Sequence, residues 1–294
     1  VKSSDIIHLM NHWSILNVLV YLCIKLHKKP YAVCPAGALK KFGRSVYLKT
    51  IYNWLIGREM IKKAALCIAV TQDEVAHFVG YGVPSEDVTI IPNGVVVDGV
   101  PPDMENDFRV KYNLIDKPYI LFMGRLNSIK GPDLLIDAFF KWHVQDPVGY
   151  HLVVAGADGG LLSVLRKKVV AAGLEDVVHF IGFVAGEEKM QAYCSASMLV
   201  IPSRSEAMSI VVLEAGIMGT PVLVTDMCGL NDLSKNECGW VCSASVDGIY
   251  AGLSESLTSR DKVTRGQNLK SYVEDNFEWS TLIAKYTALY KAII

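Results

Sequence analysis

Two glutamates separated by seven residues, Glu206 and Glu214, lie in a segment whose pattern predicts a strand, a loop and then a helix. Glu206 is expected at the helix entrance, where the helix dipole and free backbone N–H groups favour an acid. Glu214 is expected two turns further along, in a helix that is apolar on every face and therefore predicted to be buried. A buried carboxylate is costly without a partner. The sequence leaves open whether each acid has a structural role or contacts a ligand hydroxyl.

Two cations, Arg125 and Lys130, follow an apolar strand that ends at Gly124. Gly131 and Pro132 come next and are typical of the start of a helix. Because arginine can bind two oxygens at once and lysine supplies a point charge, this loop would suit a diphosphate. An ordinary surface turn remains the alternative at this point.

Two further motifs carry weaker signals. The glycine-rich turn at residues 156–160 lacks Gly-x-Gly-x-x-Gly spacing, so it does not support hydride chemistry on a dinucleotide. We interpret it as a tight strand-to-helix connection, and a role of Asp158 as a hydrogen-bond acceptor is the alternative. His8 and His12 follow an early strand without a serine or cysteine nucleophile, so a hydrolytic triad is unsupported. By default His8 is a core histidine.

Short apolar runs alternate with helical patterns along the chain. Continuous β-branched runs are typical of parallel strands that are buried on both faces. Helical spacing is clearest at residues 134–142, 161–172 and 187–193. The predicted strands are residues 6–10, 31–34, 66–70, 88–91, 119–123, 151–155, 177–181, 198–201, 221–224 and 239–242.

The fold class is therefore α/β, with doubly wound parallel sheets. A length of 294 residues suggests two domains. We place the boundary near residue 105, after Pro101 and Pro102, which gives domains at residues 1–105 and 106–294, with a return of the last helix to the first domain as an alternative. Two such domains are expected to face each other across a cleft lined by the carboxyl ends of strands, where open α/β sheets bind ligands.

Charge and composition narrow the class of partner. The first 63 residues carry eleven Lys and Arg but only two acids, although the whole chain is nearly neutral. This asymmetry indicates either an anionic partner or a solvated basic face.

No apolar run reaches 18 residues, so a membrane-spanning helix is not expected. The seven cysteines are irregularly spaced, and we interpret them as reduced core thiols of a cytosolic protein. Metal binding at Cys238 and Cys242 is a minor alternative.

Together these motifs resemble, in order, the glycosyltransferases of the group 1 type (family 4) with the GT-B fold. Gly124-Arg125 with Lys130-Gly131 resembles the diphosphate motif of that family, and Glu206 with Glu214 resembles its Glu-x7-Glu motif. The further matches are the Pro-Asn-Gly at residues 92–94, the base-pocket strand and loop at 177–183, Gly-Thr-Pro at 219–221, and the closing helix at 277–290. The family's first strand and its glycine-rich loop have no counterpart, so the first domain is expected to be incomplete.

The resemblance implies transfer of a hexosyl group from a nucleotide-diphospho sugar to a hydroxyl, with retention of anomeric configuration and no metal or other cofactor. Arg125 and Lys130 would neutralise the leaving diphosphate, and Glu206 would hold the donor sugar. These are the expected catalytic residues. The expected donor-binding residues are Gly124, Phe183, Val184, Met208, Ser209, Ile210 and Glu214. Among these, Glu214 would accept from the ribose, and the backbone at Phe183 or Val184 would contact the base.

The acceptor side is less constrained. The resemblance places His8, and less directly His12, near the sugar or acceptor, and it suggests polysaccharide or glycolipid synthesis. A sugar or lipid-linked acceptor is expected, together with a cytoplasmic location and, as one candidate, peripheral contact with an anionic membrane. A non-catalytic nucleotide-sugar-binding protein and a nucleotide-sugar epimerase of similar shape remain alternatives. Nucleic acid is not expected as a partner, since no known reader motif is present.

Overall fold

The computed structural model describes residues 1–40, 45–96, 105–145 and 148–294, without the side chains of residues 105 and 106. The chain divides into two compact units. The N-terminal unit comprises Val1–Gly94 together with Trp279–Ile294, and the C-terminal unit comprises Val95–Glu278. The predicted boundary near residue 105 follows Pro101 and Pro102, which lie outside the described residues, and it stays a prediction.

All ten predicted strands are present, with ends that differ from the prediction by at most one residue. They are β1 (Ile7–Met10), β2 (Tyr31–Cys34), β3 (Leu66–Ala69), β4 (Val88–Ile90), β5 (Tyr119–Met123), β6 (His151–Ala155), β7 (Val178–Gly182), β8 (Met198–Ile201), β9 (Val222–Thr225) and β10 (Trp240–Cys242).

Helices connect these strands, as the sequence pattern predicts. They are α1 (Ile15–His27), α2 (Val46–Tyr52), α3 (Arg58–Lys62), α4 (Gln72–Tyr81), α5 (Glu105–Lys111), α6 (Pro132–His143), α7 (Leu162–Ala171), α8 (Gly186–Ser195), α9 (Ile210–Ile217), α10 (Val246–Thr258), α11 (Lys262–Phe277) and α12 (Trp279–Ile293). A π-helical turn, Asn53–Gly57, joins α2 to α3, and short 3-10 turns lie at Ser85–Asp87 and Asn231–Leu233.

The N-terminal unit contains a four-stranded parallel sheet in the order β1-β2-β3-β4. Helix α1 buries Asn17, Tyr21 and Ile24, which recur on one face. The Asn17 amide donates to the carbonyl of Met10 at 2.9 Å and so ties the helix to the end of β1. The last helix, α12, belongs to this unit.

The C-terminal unit contains a six-stranded parallel sheet in the order β10-β9-β8-β5-β6-β7. Residues of β5 alternate between two hydrophobic clusters: Leu121 joins one, whereas Ile120 and Phe122 join the other. Burial of each such side chain contributes about 1.5–3 kcal/mol. From β5 the chain adds β6 and β7 on one side, and it then adds β8, β9 and β10 on the other side. The order of strands therefore reverses between β5 and β8, which are neighbours in the sheet. This is the topological switch point at which open α/β sheets bind ligands.

Two sequence-based expectations are wrong. All seven cysteines are free thiols, but Cys23 is exposed and only four are buried, so they are not uniformly core residues. Helix α9 is not buried on every face, because Ile210 is exposed and Val211 and Glu214 are only half-buried. Val211 and Glu214 of this helix line a cavity described below. In the part of the chain that the structure describes, no helix is both long and apolar enough to cross a bilayer.

Candidate active site

An ion pair joins the loops that follow β5 and β8. The Nζ of Lys130 lies 2.9 Å from Oε2 of Glu206, whose side chain is only 9% exposed. The hydroxyl of Ser203 donates to the other carboxylate oxygen, Oε1. Two residues that the sequence singled out separately are therefore in contact, and the charge of each is balanced at the carboxyl edge of the sheet.

The loop that carries Lys130 depends on Gly131. This residue has a φ of +67°, and a Cβ at its position would lie 2.1 Å from the carbonyl oxygen of Pro202. Pro132 then begins α6. The Lys130 N–H donates to Oδ1 of Asn127 at 3.0 Å. The loop after β5 thus packs directly on the loop after β8.

The loop that carries Glu206 is held by residues that follow β9. The Glu206 N–H donates to the carbonyl of Met227 at 2.8 Å, and the Ser209 N–H donates to that of Cys228 at 3.1 Å. Helix α9 begins immediately after Ser209, and the buried Ser209 hydroxyl has no hydrogen-bond partner among the described residues. The N–H groups of Ile210 and Val211 likewise have no partner found in the described ranges. This helix start can therefore bind an anion.

The backbone N–H of Ser209 is not available for such an anion, since Cys228 already accepts from it. The hydroxyl of Ser209 and the N–H groups of the first helical turn are the donors that remain. Met208 is half-buried and packs against the hydrophobic core of the unit, so it contributes mainly to the support of this loop.

A cavity of about 320 Å³ lies in the same unit, at the carboxyl ends of β5, β6 and β7. Gly124 and Gly156, which approach each other closely, are among the residues that line it. A Cβ at Gly156 would lie 1.8 Å from the Gly124 carbonyl oxygen. Phe183, which is 74% exposed, and the buried Val184 line one wall.

The cavity also contains Arg125 and Glu214. The Arg125 side chain is exposed and forms no hydrogen bond or ion pair with another residue that the structure describes. Glu214 has two protein donors: Nζ of Lys189 lies 2.7 Å from its Oε1, and the hydroxyl of Tyr193 lies 2.8 Å from its Oε2. Glu214 is therefore paired within the protein, as the structural interpretation predicted, and it lines the cavity, while its contact with a ligand hydroxyl stays a prediction.

Lys189 and Tyr193 were not identified from the sequence. They lie one turn apart on α8, which puts them on the same helix face, and they line the cavity beside Glu214. Burial and the charge of Glu214 both raise the pKa of the Tyr193 hydroxyl, so it stays a hydrogen-bond donor. The four-residue spacing was the only signal in the sequence, and it does not reveal which acid the two residues meet.

Asp158 accepts hydrogen bonds within the turn itself, so the tight connection and the acceptor role, given as alternatives, occur together. Its Oδ1 accepts hydrogen bonds from the N–H groups of Gly160 at 2.7 Å and Leu162 at 3.2 Å, at the start of α7. These backbone hydrogen bonds lower the pKa of its carboxyl. Asp158 therefore fixes the turn into α7.

His8 and His12 lie in the N-terminal unit. His8 Nδ1 lies 2.6 Å from the hydroxyl of Tyr290 on α12, and its buried Nε2 has no partner among the described residues. His12 is fully buried, and its Nε2 lies 2.8 Å from Oδ1 of Asn53. Burial lowers the pKa of both rings. His12 thus packs inside the unit, and each ring keeps one buried nitrogen, Nε2 of His8 and Nδ1 of His12, that has no partner among the described residues.

Two family profiles match the chain. The profile described as "Glycosyl transferases group 1" matches residues 104–270, and the profile described as "Glycosyltransferase Family 4" matches residues 2–98. The first match covers more than half of the chain and includes every loop of the cavity and of the Lys130–Glu206 pair.

Curated relatives carry glycosyltransferase names. An uncharacterized glycosyltransferase of Methanocaldococcus jannaschii is 28% identical over 86% of this chain and 71% of its own length. The GDP-mannose-dependent alpha-(1-6)-phosphatidylinositol monomannoside mannosyltransferase of Mycobacterium tuberculosis is 31% identical over 69% of this chain. A D-inositol 3-phosphate glycosyltransferase of Geodermatophilus obscurus is 29% identical over 80% of it. The chain spans only 55% of the length of each of the last two relatives.

Solved structures share the fold. Anabaena HepE, in complex with UDP and glucose, superposes with a TM-score of 0.83 at 19% identity, covering 98% of this chain and 78% of that one. Sucrose-phosphate synthase from Thermosynechococcus elongatus superposes with a TM-score of 0.79 at 22% identity, covering 98% and 73%. With its two parallel α/β units and a profile match over more than half of its length, the chain belongs to the group 1 glycosyltransferases of GT-B fold.

Proposed function

We propose that this chain supplies the donor site of a retaining glycosyltransferase, which transfers a hexosyl group from a nucleotide-diphospho sugar to a hydroxyl acceptor. The observation that carries the proposal is the arrangement at the switch point. A cation–carboxylate pair, Lys130–Glu206, joins the loop after β5 to the loop that leads into α9, and the cavity with Arg125 and Glu214 lies in the same unit. Because each group matches one part of a nucleotide-diphospho sugar, a single ligand accounts for all of them.

The cavity is the proposed site of the nucleoside. A volume of about 320 Å³ suits a nucleoside-sized group, and Glu214 is held by two protein donors with its carboxylate at the cavity wall. The ribose hydroxyls would donate to that carboxylate, and the backbone at Phe183 and Val184 would contact the base. Anabaena HepE was crystallised in complex with UDP and glucose, which are the parts of such a donor.

The diphosphate is proposed to interact with Arg125, Lys130 and the first turn of α9. In the transfer, the bond from the sugar C1 to the diphosphate oxygen breaks and a bond from C1 to the acceptor oxygen forms. The acceptor proton passes to the departing diphosphate or to solvent. Negative charge grows on the diphosphate during this step, so fixed cations and helix N–H groups stabilise the transition state. The side chains supply this charge in the proposal, and no metal is required.

Glu206 is proposed to accept from hydroxyls of the donor sugar. In the present structure its Oε2 contacts Lys130, and a bound diphosphate would compete for that ammonium. Its Oε1 is held by Ser203, so the carboxylate keeps its orientation when the donor binds. The acceptor-side role of His8 stays part of the proposal, supported by its unpaired Nε2.

A donor panel tests the proposal. Melting temperature would be measured with UDP-, GDP- and ADP-sugars, followed by product analysis with hydroxyl acceptors, including lipid-linked sugars. We expect one nucleotide class to stabilise the chain by mass action and the transferred sugar to keep its anomeric configuration. Stabilisation without transfer by the full-length protein would indicate a nucleotide-sugar-binding protein. Interconversion of the donor sugar without any acceptor would indicate an epimerase.

Peripheral contact with an anionic membrane is a second part of the proposal, consistent with synthesis of a glycolipid or polysaccharide. Its support is helix α1, whose outward face is apolar and borders Lys25, Lys28 and Lys29. Apolar helix faces flanked by lysines bind at the surface of anionic bilayers. The exposed side chains on that face are Ile15, Leu16, Leu19, Leu22 and Leu26.

Cys23 provides a direct probe of this surface, because it lies on α1. Among the cysteines of the described residues, it alone is exposed. We expect anionic phospholipid vesicles to slow alkylation of Cys23 by a water-soluble maleimide several-fold, and high salt or phosphatidylcholine vesicles to leave the rate unchanged. A Cys23→Ser variant defines the background from the other thiols. Equal rates with and without anionic vesicles would remove the membrane contact from the proposal.

A further inference from the structure

Arg204 connects the two loops that carry the Lys130–Glu206 pair. Its Nη1 donates to the Ser128 carbonyl at 2.6 Å and to Oδ1 of Asp133 at 2.9 Å, and its Nη2 donates to Oδ2 of Asp133 at 2.6 Å. Its backbone N–H donates to the carbonyl of Ile129 at 2.8 Å. Every acceptor therefore belongs to the segment that leads to or directly follows Lys130.

Arg204 is also close in sequence to the second residue of the ion pair, Glu206. It lies two residues before Glu206, so its four hydrogen bonds fasten the loop of Glu206 to the loop of Lys130. A bidentate arginine–carboxylate pair fixes orientation as well as distance. Burial alone would raise the pKa of the Asp133 carboxyl, but the hydrogen bonds and charge of Arg204, with backbone N–H groups, lower it. The pair is therefore ionised at neutral pH.

Lysine side chains are long and flexible, so the place of the Lys130 ammonium depends on where the loop holds its backbone. A cation that is already in place costs no reorganisation when charge develops on the leaving group. We propose that Arg204 is a positioning residue, which holds the loop after β5 so that the Lys130 ammonium lies where the donor diphosphate leaves. This inference rests on the proposed function, because it takes Lys130 as the cation that acts on the diphosphate.

The kinetic test uses Arg204→Ala and Arg204→Lys in the full-length protein. We expect Arg204→Ala to lower kcat by roughly ten- to a hundredfold, the scale of a 1 Å misplacement, with little change in the acceptor KM. Arg204→Lys restores charge without the planar fork, so we expect partial recovery. The matched control is Arg265→Ala, which breaks an arginine–aspartate contact of 2.7 Å elsewhere in the same unit. Kinetics of Arg204→Ala equal to those of the control would overturn the proposal.

A double variant separates positioning from general loss of structure. If Arg204 acts through Lys130, Arg204→Ala should lower kcat less than twofold when Lys130 is already alanine. A further loss as large as in the wild-type background would show a merely structural role and overturn the inference. The exchange variant Arg204→Asp with Asp133→Arg should regain part of the activity that either single change removes. Asp133→Asn provides the same comparison if Arg204→Ala does not fold.

The kcat values of Lys130→Ala and Arg204→Ala together distinguish failure of the proposed function from failure of this inference. If Lys130→Ala keeps normal kcat, the role of Lys130 fails whatever Arg204 does. If Lys130→Ala loses activity while Arg204→Ala matches its control, only the positioning role fails.

Discussion

The ammonium of Lys130 lies 2.9 Å from the carboxylate of Glu206, although the two residues follow strands that are distant in the sequence. They meet because β5 and β8 are neighbours at the switch point of the sheet. The pair balances both charges within the protein. The first turn of α9 keeps N–H groups that no described residue accepts from. Four predictions test this arrangement and the unit that carries it.

Lys130→Ala should lower turnover by two or more orders of magnitude, roughly the loss of one donor that stabilises transition-state charge. Steady-state kinetics of the full-length protein would measure it. Lys167→Ala, at an exposed lysine of α7, is the matched control and should leave the rate unchanged. Normal turnover in Lys130→Ala would contradict the assignment of this residue to the leaving diphosphate.

Glu214→Gln should chiefly weaken donor binding, because the carboxylate is replaced by an amide that the ribose hydroxyls and Lys189 meet less favourably. The expected loss is roughly ten- to a hundredfold in Kd for the nucleoside diphosphate, the scale of one hydrogen bond to a charged group. Calorimetric titration measures it, with the exposed Glu255→Gln as control. Unchanged affinity in Glu214→Gln would exclude contact between this carboxylate and the ribose.

Gly131→Ala should destabilise the C-terminal unit and also lower turnover. Its φ of +67° disfavours alanine, and the added Cβ would meet the Pro202 carbonyl oxygen at 2.1 Å. Gly173→Ala separates the two effects, since Gly173 has a φ of +65° but nothing within 4 Å of the added Cβ. Thermal unfolding should show about 1–2 kcal/mol of loss for Gly173→Ala and a larger loss for Gly131→Ala. Equal losses would mean that contact with Pro202 does not constrain the loop.

The stability of the C-terminal unit should fall as the pH is lowered from about 6.5 to about 4. His151 Nδ1 lies 2.8 Å from Nε2 of His179, and burial, followed by the nearby charge of His179, lowers the pKa of His151 from 6.5 to about 4. Between those values the unfolded chain binds the proton more readily than the folded one, so acid favours unfolding. Melting temperature measured against pH should show a shallower slope for His151→Gln. An identical slope would mean that this pair does not contribute to the pH dependence.

Local structure and the motif residues could be predicted from the sequence alone. All ten strands could be predicted, most of them from continuous apolar runs, and α6, α7 and α8 could be predicted from helical spacing, because both signals depend on neighbours a few residues apart. The motifs around Lys130 and Glu206 also identified the family, which the profile matches confirm. The one-turn spacing of Lys189 and Tyr193 on α8 was visible, but no local pattern assigned those residues to Glu214.

Which strands are neighbours and which side chains are in contact depends on the tertiary structure. Strand order is a property of pairings between distant segments, so the contact of β5 with β8, and with it the Lys130–Glu206 pair, lay beyond any local pattern. The same holds for the four hydrogen bonds of Arg204 and for the exposure of Cys23 in an otherwise apolar helix. A side chain's burial and partners depend on what the rest of the chain packs against it, and periodicity records only which face it occupies.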